Sequence, residues 1–176
     1  MQITIRKFTE TDILNKIRWI NDPENNQYLH YDLPLEYEKT MKWFSIAKER
    51  SDRYDAVIEV DGIAVGLIGL LEIDLRNRKA EIYIALGERE YRGKGVAVAA
   101  VQLLMNKAFN ELGLNRVYLY TERENLPAQR LFEKCGFRQE GLLLEDLIYN
   151  GRKVDRWLYA ITAREYESIY DSNSAD

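Results

Sequence analysis

Asn150-Gly151 stands between two long strand-like runs, 138–149 and 153–161. This dipeptide suits a two-residue type I′ turn, in which both central residues need positive φ. A turn that tight joins only antiparallel neighbours. Asp61-Gly62 gives the same signal after the β-like run 54–60, ahead of the apolar run 64–73. The turn Leu75-Arg76-Asn77-Arg78 leads on to a further strand over 79–86. With several hairpin connections, the sheet cannot be all parallel.

Helices fill the remaining gaps. Ala97, Ala100, Val101, Leu104, Met105, Ala108 and Leu112 share one helical face, and Gly113 stops that helix. A first strand alternates over 2–8, and Thr9 to Asp12 offer caps for a short helix through Ile13, Ile17 and Ile20. A second helix is expected over about 35–49, with Pro34 at its start. Residues 116–121 read as a strand, and Asn125 can cap a helix over 126–135 with Pro127 in its first turn. The order is β-α-α-β-β-β-α-β-α-β-β. This is an α/β fold in one domain over 1–170, with a mixed, mostly antiparallel sheet, and a tail over 171–176 expected to be disordered. Trp43 and Trp157 read as core.

Composition narrows the chemistry. The 176 residues carry a net charge of −4, which disfavours bulk binding to nucleic acid or an anionic membrane. One histidine (His30) and one cysteine (Cys135) allow neither an internal disulfide nor a Cys/His zinc site. No metal is expected. The start lacks a leader pattern and no apolar run approaches the roughly 20 residues that span a bilayer, so a cytoplasmic location is expected. Chemistry must then rest on carboxylates, tyrosines, backbone amides or a bound coenzyme.

The segment that carries such chemistry is Arg92-Gly93-Lys94-Gly95-Val96-Ala97, between a strand and the best amphipathic helix. A helix N-terminus presents unpaired N–H groups and about half a positive charge. Glycines let a phosphate approach the backbone, and two cations add to the field. On the loop alone, a plain solvated turn at a helix start remains an equal reading. Neither the P-loop pattern nor the dinucleotide fingerprint is present.

Here the chain resembles the GNAT superfamily of acetyl-coenzyme A-dependent N-acetyltransferases. Arg92, Gly95 and Ala97 match its pyrophosphate loop, and Asn125, Ala128, Phe132, Gly136 and Phe137 match a second block after a strand. Asn150-Gly151-Arg152 with Asp155 resembles the branch that holds ribosomal-protein N-terminal and spermidine acetyltransferases. The resemblance implies that two central strands splay apart. It implies that the amides of Arg92, Gly93, Lys94, Gly95, Val96 and Ala97 hold the coenzyme pyrophosphate. Ile84, Ala85 and Leu86 would pair with the pantetheine arm, Asn125 would hydrogen-bond it, and Phe132 would lie against it. For Asn125, a plain N-cap is the alternative, and both roles can hold together.

Acetyl transfer needs a base for the amine, a donor for the carbonyl and contact between reactants. Glu81 is the preferred base, sharing one strand face with Tyr83 and Ala85, and Glu72 falls about opposite it if 75–78 closes a hairpin. A surface pair balanced by Arg76, Arg78 or Lys79 is the alternative. Family members commonly carry Tyr at the Phe132 position, read as the acid for the departing thiolate. The thiolate can leave without a protein acid, since thiols have pKa values near 8.5; Tyr120, Tyr83 and Cys135 are candidates to replace the acid; and a non-catalytic acyl-coenzyme A-binding module is the rival reading. His30 reads as a loop residue, with a place near the acceptor mouth as the alternative. Trp19, Tyr31, Asp32, Glu36 and Glu145 are candidate acceptor contacts. The expected acceptor is a primary amine: a polyamine, aminosugar, aminoglycoside or protein N-terminus. A monomer or homodimer is expected.

Overall fold

The computed structural model describes residues 1–170, so the tail expected to be disordered lies outside the described residues. Seven strands form one sheet in the order β1-β2-β3-β4-β5-β7-β6. They are β1 (Ile3–Lys7), β2 (Tyr54–Val60), β3 (Ile63–Asp74), β4 (Lys79–Leu86), β5 (Arg116–Glu122), β6 (Arg138–Tyr149) and β7 (Arg152–Thr162). The helices are α1 (Ile13–Asn21), α2 (Tyr37–Ala47), α3 (Val96–Asn106), α4 (Leu126–Lys134) and α5 (Ala163–Tyr170). Both expected tight turns have positive φ at their two central residues: Asp61 51° and Gly62 81°, Asn150 49° and Gly151 76°. No helix among the described residues is long and apolar enough to cross a membrane.

One junction positions the site. Among the described residues β4 and β5 are the only parallel neighbours, and they pair over just three positions, Lys79↔Arg116, Ala80↔Val117 and Glu81↔Tyr118. β4 continues to Leu86 against β3, and β5 continues to Glu122 against β7. Beyond Glu81 and Tyr118 the two strands therefore diverge. Strand alternation then sorts the side chains. Ala80, Ile82, Val117 and Leu119 join the core beneath α3 and α4, with Ala100, Val101, Leu104, Met105 and Phe132. Tyr83 and Ala85 face the opposite layer, where Phe8, Ile13, Trp19, Ile20, Val57 and Leu67 form a second core with α1 and α2.

Several local expectations shift. The second helix begins at Tyr37 rather than near 35, and α3 ends at Asn106 in a wide π turn over 107–111. α5 is an addition to the expected order. It has eight residues, too short to read from periodicity, and is held by tertiary packing. Tyr166 stacks 4.9 Å from Phe109, and the Glu165 N–H donates to Thr162 Oγ1 at 3.3 Å. Trp43 and Trp157 are half-buried and pack against the two cores rather than lying within them.

Candidate active site

The gap between β4 and β5 forms a cleft of about 210 Å³, and residues from both faces of the sheet line it. Ile82, Ile84, Leu119, Thr121, Asn125, Ala128 and Phe132 line it from the α3/α4 side. Glu81, Tyr83, Tyr120, Glu122 and Arg156 line it from the other side, with Tyr28, Leu29 and His30 from the segment after α1. Two reactants can thus meet through the sheet, each approaching from its own face.

On the first face, the loop ahead of α3 is open. Residues 92–95 are exposed, and Gly93 and Gly95 have φ of 70° and 79°. A Cβ at either glycine would meet nothing within 4 Å, so an anion has a clear approach to the backbone. The first helical bond runs from the Ala99 N–H to the Gly95 carbonyl, which leaves the earlier helical amides at the helix mouth. The Arg92 amide is the exception, because it donates to the Arg89 carbonyl at 3.0 Å. The Arg92 guanidinium donates to Asn25 Oδ1, and the Lys94 ammonium lies 5.8 Å from the Tyr91 ring. Ile84, Ala85 and Leu86 pair with Ile68, Leu67 and Gly66 on one edge only, since β5 has already turned away.

Asn125 Oδ1 accepts the Ala128 N–H at 3.2 Å, capping α4 while lining the cleft. Phe132 is buried, with its ring 5.2 Å from Phe137 in an edge contact. Cys135 is also buried, and burial pushes its thiol up to about 11. It does not line the cleft, so its nearness to Phe132 in sequence brings no thiol to the reacting atoms.

On the second face, Glu81 is half-buried, and burial raises its carboxyl above the usual range while Arg156 pulls it back. Glu72 lies near Glu81 but not directly opposite it. Leu71 stands opposite Glu81, the register breaks before Asp74, and Glu72 is exposed at φ 50°. Glu72 is thus exposed and not the direct cross-strand partner, yet its charge still reaches Glu81 and adds to the rise of that carboxyl. Arg156 donates to Asp146 Oδ2 at 2.7 Å, with its guanidinium carbon 4.5 Å from the centre of the Tyr120 ring. The Tyr83 hydroxyl donates to Asp55 at 2.5 Å. Burial raises that phenol well above its ordinary range, and Asp55 adds to the effect.

His30 Nε2 lies 2.9 Å from Glu122 Oε2, and Arg152 donates to Glu122 Oε1 at 3.0 Å. Burial pushes the Glu122 carboxyl up, yet the Arg152 and His30 contacts outweigh it and hold the group low. The His30 ring also packs edge-on to Tyr149 at 5.2 Å. His30 is thus a loop residue that lines the cleft with an ordered partner. Glu122, Arg156 and Thr121 were missed in the sequence. Alternation from Tyr118 and Tyr120 would have flagged Glu122, whereas nothing local marks Arg156.

The remaining acceptor candidates fall elsewhere. Tyr31, Asp32 and Glu36 line a separate cavity of about 330 Å³ with Lys16 and Trp43. Glu145 is exposed and pairs with Lys153 at 3.2 Å. Trp19 is 1% exposed and donates to Glu88 at 2.8 Å, so it is a core residue. Its indole fills the space a Gly87 Cβ would occupy, 2.1 Å from Cγ.

Comparison with known proteins gives the arrangement a context. The acetyltransferase (GNAT) domain model matches residues 2–138. The spermidine N(1)-acetyltransferase of Escherichia coli K12 is 33% identical over 147 residues, covering 77% of this chain and 75% of that protein. The putative ribosomal N-acetyltransferase YdaF of Bacillus subtilis is 37% identical over 113 residues, covering 64% of this chain and 61% of that one. A crystal structure of spermidine N-acetyltransferase from Vibrio cholerae, in complex with CoA and spermine, superposes with a TM-score of 0.86 at 28% identity, covering 94% of this chain and 98% of that one. A splayed β4–β5 junction with an open glycine loop ahead of α3 is thus joined to a matching family model over most of the chain: it belongs to the GNAT acetyltransferases and is an N-acetyltransferase that uses acetyl-coenzyme A.

Proposed function

We propose that the acceptor is the primary amine of a cationic small molecule of the polyamine class. The observation that carries this reading is the second face of the cleft. Glu81 and Glu122 bring carboxylates to it, and Tyr28 and Tyr120 add aromatic surface. Carboxylates with aromatic faces suit an extended cation. The chain's net charge of −4 favours approach of such a molecule, and two relatives are named for spermidine.

In this reading the coenzyme pyrophosphate rests on the amides of Gly93, Lys94, Gly95, Val96 and Ala97. The pantetheine arm lies along Ile84, Ala85 and Leu86, with Asn125 donating to it and Phe132 packing on it. The acetyl group then sits in the gap, and the amine arrives from the Glu81 face. An ammonium cannot attack, so its proton goes to Glu81, whose raised proton affinity makes it a stronger base than an exposed carboxylate. The neutral nitrogen attacks the thioester carbonyl, the C–N bond forms, and the C–S bond breaks. His30 and Glu122 orient the cation's remaining charge.

A thiol-release assay with spermidine, an aminosugar, an aminoglycoside and a protein N-terminal peptide tests this. Turnover with spermidine at least ten-fold above the other three supports the proposal. Preferential turnover of any other amine, or coenzyme binding without turnover of any of them, refutes it.

A further inference from the structure

Thr121 Oγ1 is the one buried side-chain nitrogen or oxygen among the described residues that has no hydrogen-bond partner. The residue is 4% exposed and lines the cleft. Buried hydroxyls are nearly always paired, so an orphan calls for an explanation. A threonine that only packed would serve better as valine.

Position narrows the explanation. Thr121 follows Val117 and Leu119 on β5, and alternation puts all three on the face beneath α4. α4 is fastened over this strand end. Gln129 Nε2 donates to the carbonyls of Glu122 and Arg123 at 3.4 and 3.0 Å. Phe132, one turn further along α4, lines the same cleft. The resemblance places a tyrosine hydroxyl at position 132, and phenylalanine has none to offer.

The other hydroxyls of the cleft are disposed otherwise. Tyr28 donates to the Glu124 carbonyl at 3.3 Å, and Tyr83 donates to Asp55. Tyr120 projects on the acceptor face. Thr121 is therefore the hydroxyl on the coenzyme face that is still without a partner.

We propose that the Thr121 hydroxyl donates a hydrogen bond to the coenzyme sulfur as it leaves, standing in for the group absent at Phe132. This rests on the acetyl-transfer geometry proposed above. The C–S bond breaks with its electron pair on sulfur, and the amine proton has gone to the base. Thr121 keeps its own proton and shares it with the thiolate. Full protonation is unnecessary, because a thiol of pKa about 8.5 is a fair leaving group. The thiolate takes its proton from water after release.

The test titrates the thiol of bound coenzyme A by its ultraviolet thiolate absorbance, in the wild type, Thr121→Val and Thr121→Ser. The bound thiol is expected to ionise about one pH unit higher in T121V than in the wild type, with T121S close to the wild type. T121V should turn over roughly ten-fold more slowly, which is the same free energy. Adding Phe132→Tyr to T121V should restore most of that loss. Without ligand, T121V should melt no lower than the wild type, since no protein partner is removed. A T121V titration that superposes on the wild type overturns the proposal while leaving acetyl transfer intact. A wild type that fails to bind coenzyme A in calorimetry overturns both.

Discussion

Asn125 is the residue at which a structural and a binding role can be separated cleanly. Its Oδ1 caps α4 through the Ala128 N–H, and its Nδ2 is the donor expected to reach the pantetheine arm. Asn125→Asp keeps the acceptor and places a negative charge at a helix N-terminus, where it is welcome. It removes only the donor. Asn125→Ala removes both. An N-cap lost to alanine costs about 1 kcal/mol, or roughly 2–4 °C in Tm for a chain of this size. A neutral hydrogen bond contributes about 0.5–1.5 kcal/mol, so losing the donor should weaken coenzyme A binding roughly two- to twelve-fold. Repulsion between the new carboxylate and the arm's carbonyl pushes N125D towards the upper figure. Thermal melts without ligand and calorimetry with coenzyme A read the two effects apart. N125D should melt like the wild type and bind more weakly, whereas N125A should lose on both. If N125D binds coenzyme A as tightly as the wild type, Asn125 is a cap alone and the placement of the arm is wrong.

Other outcomes follow from the same geometry. Glu81→Gln should cut turnover by about 10²–10⁴-fold and abolish the rise in rate with pH, because the wild-type base works only above its raised carboxyl pKa. An unchanged pH–rate profile would remove Glu81 as the base. Gly95→Ala should lower Tm through about 1–2 kcal/mol of left-handed strain and weaken binding of coenzyme A but not of pantetheine, which lacks the pyrophosphate. Equal loss for both ligands would place the pyrophosphate elsewhere. Glu140, held down to about 2 chiefly by its bond to Arg116, contributes stability above the ordinary glutamate pKa and loses it as pH falls towards 2. Glu140→Gln should accordingly lower Tm at pH 7, with the gap closing in acid. A gap that persists at low pH would assign the effect to packing.

The sequence revealed the elements better than their meeting points. Hairpin turns, helix caps, strand alternation and one amphipathic face ordered eleven elements, because each signal is local and depends on φ, on a cap or on a short period. The glycine loop was legible for the same reason. Glu81 and Glu72 show where local reasoning stops. Counting back from a turn puts them directly opposite, but the irregularity before Asp74 sets Leu71 against Glu81 and leaves Glu72 exposed beside it, its charge still acting on Glu81. His30 and Glu122 lie 92 residues apart and meet only in the folded chain. Trp19 looked available on a short helix, yet Gly87 leaves the room that buries it. Arg156 carries no mark of its own, and its place is set by pairing opposite Glu122 across β5 and β7.

The short β4–β5 pairing has a mechanical consequence. Three residue pairs join a half-sheet of β1 to β4 to a half-sheet of β5 to β7. Those pairs act as a hinge at the base of the cleft. Ile84, Ala85 and Leu86 ride on one half, whereas Thr121 and Arg156 ride on the other and Asn125 follows directly from it. From the hinge to the strand tips the lever is about 16 Å, at roughly 3.3 Å per residue. A rotation of about 3–4° between the halves would then move one tip about 1 Å past the other, and a misplacement of that size can cost about 100-fold in rate. α3, packed across β1, β3 and β4 and touching α4 on the far half, is the brace against that rotation. Substitutions under α3, far from any reacting atom, would therefore act on turnover through the stiffness of this hinge.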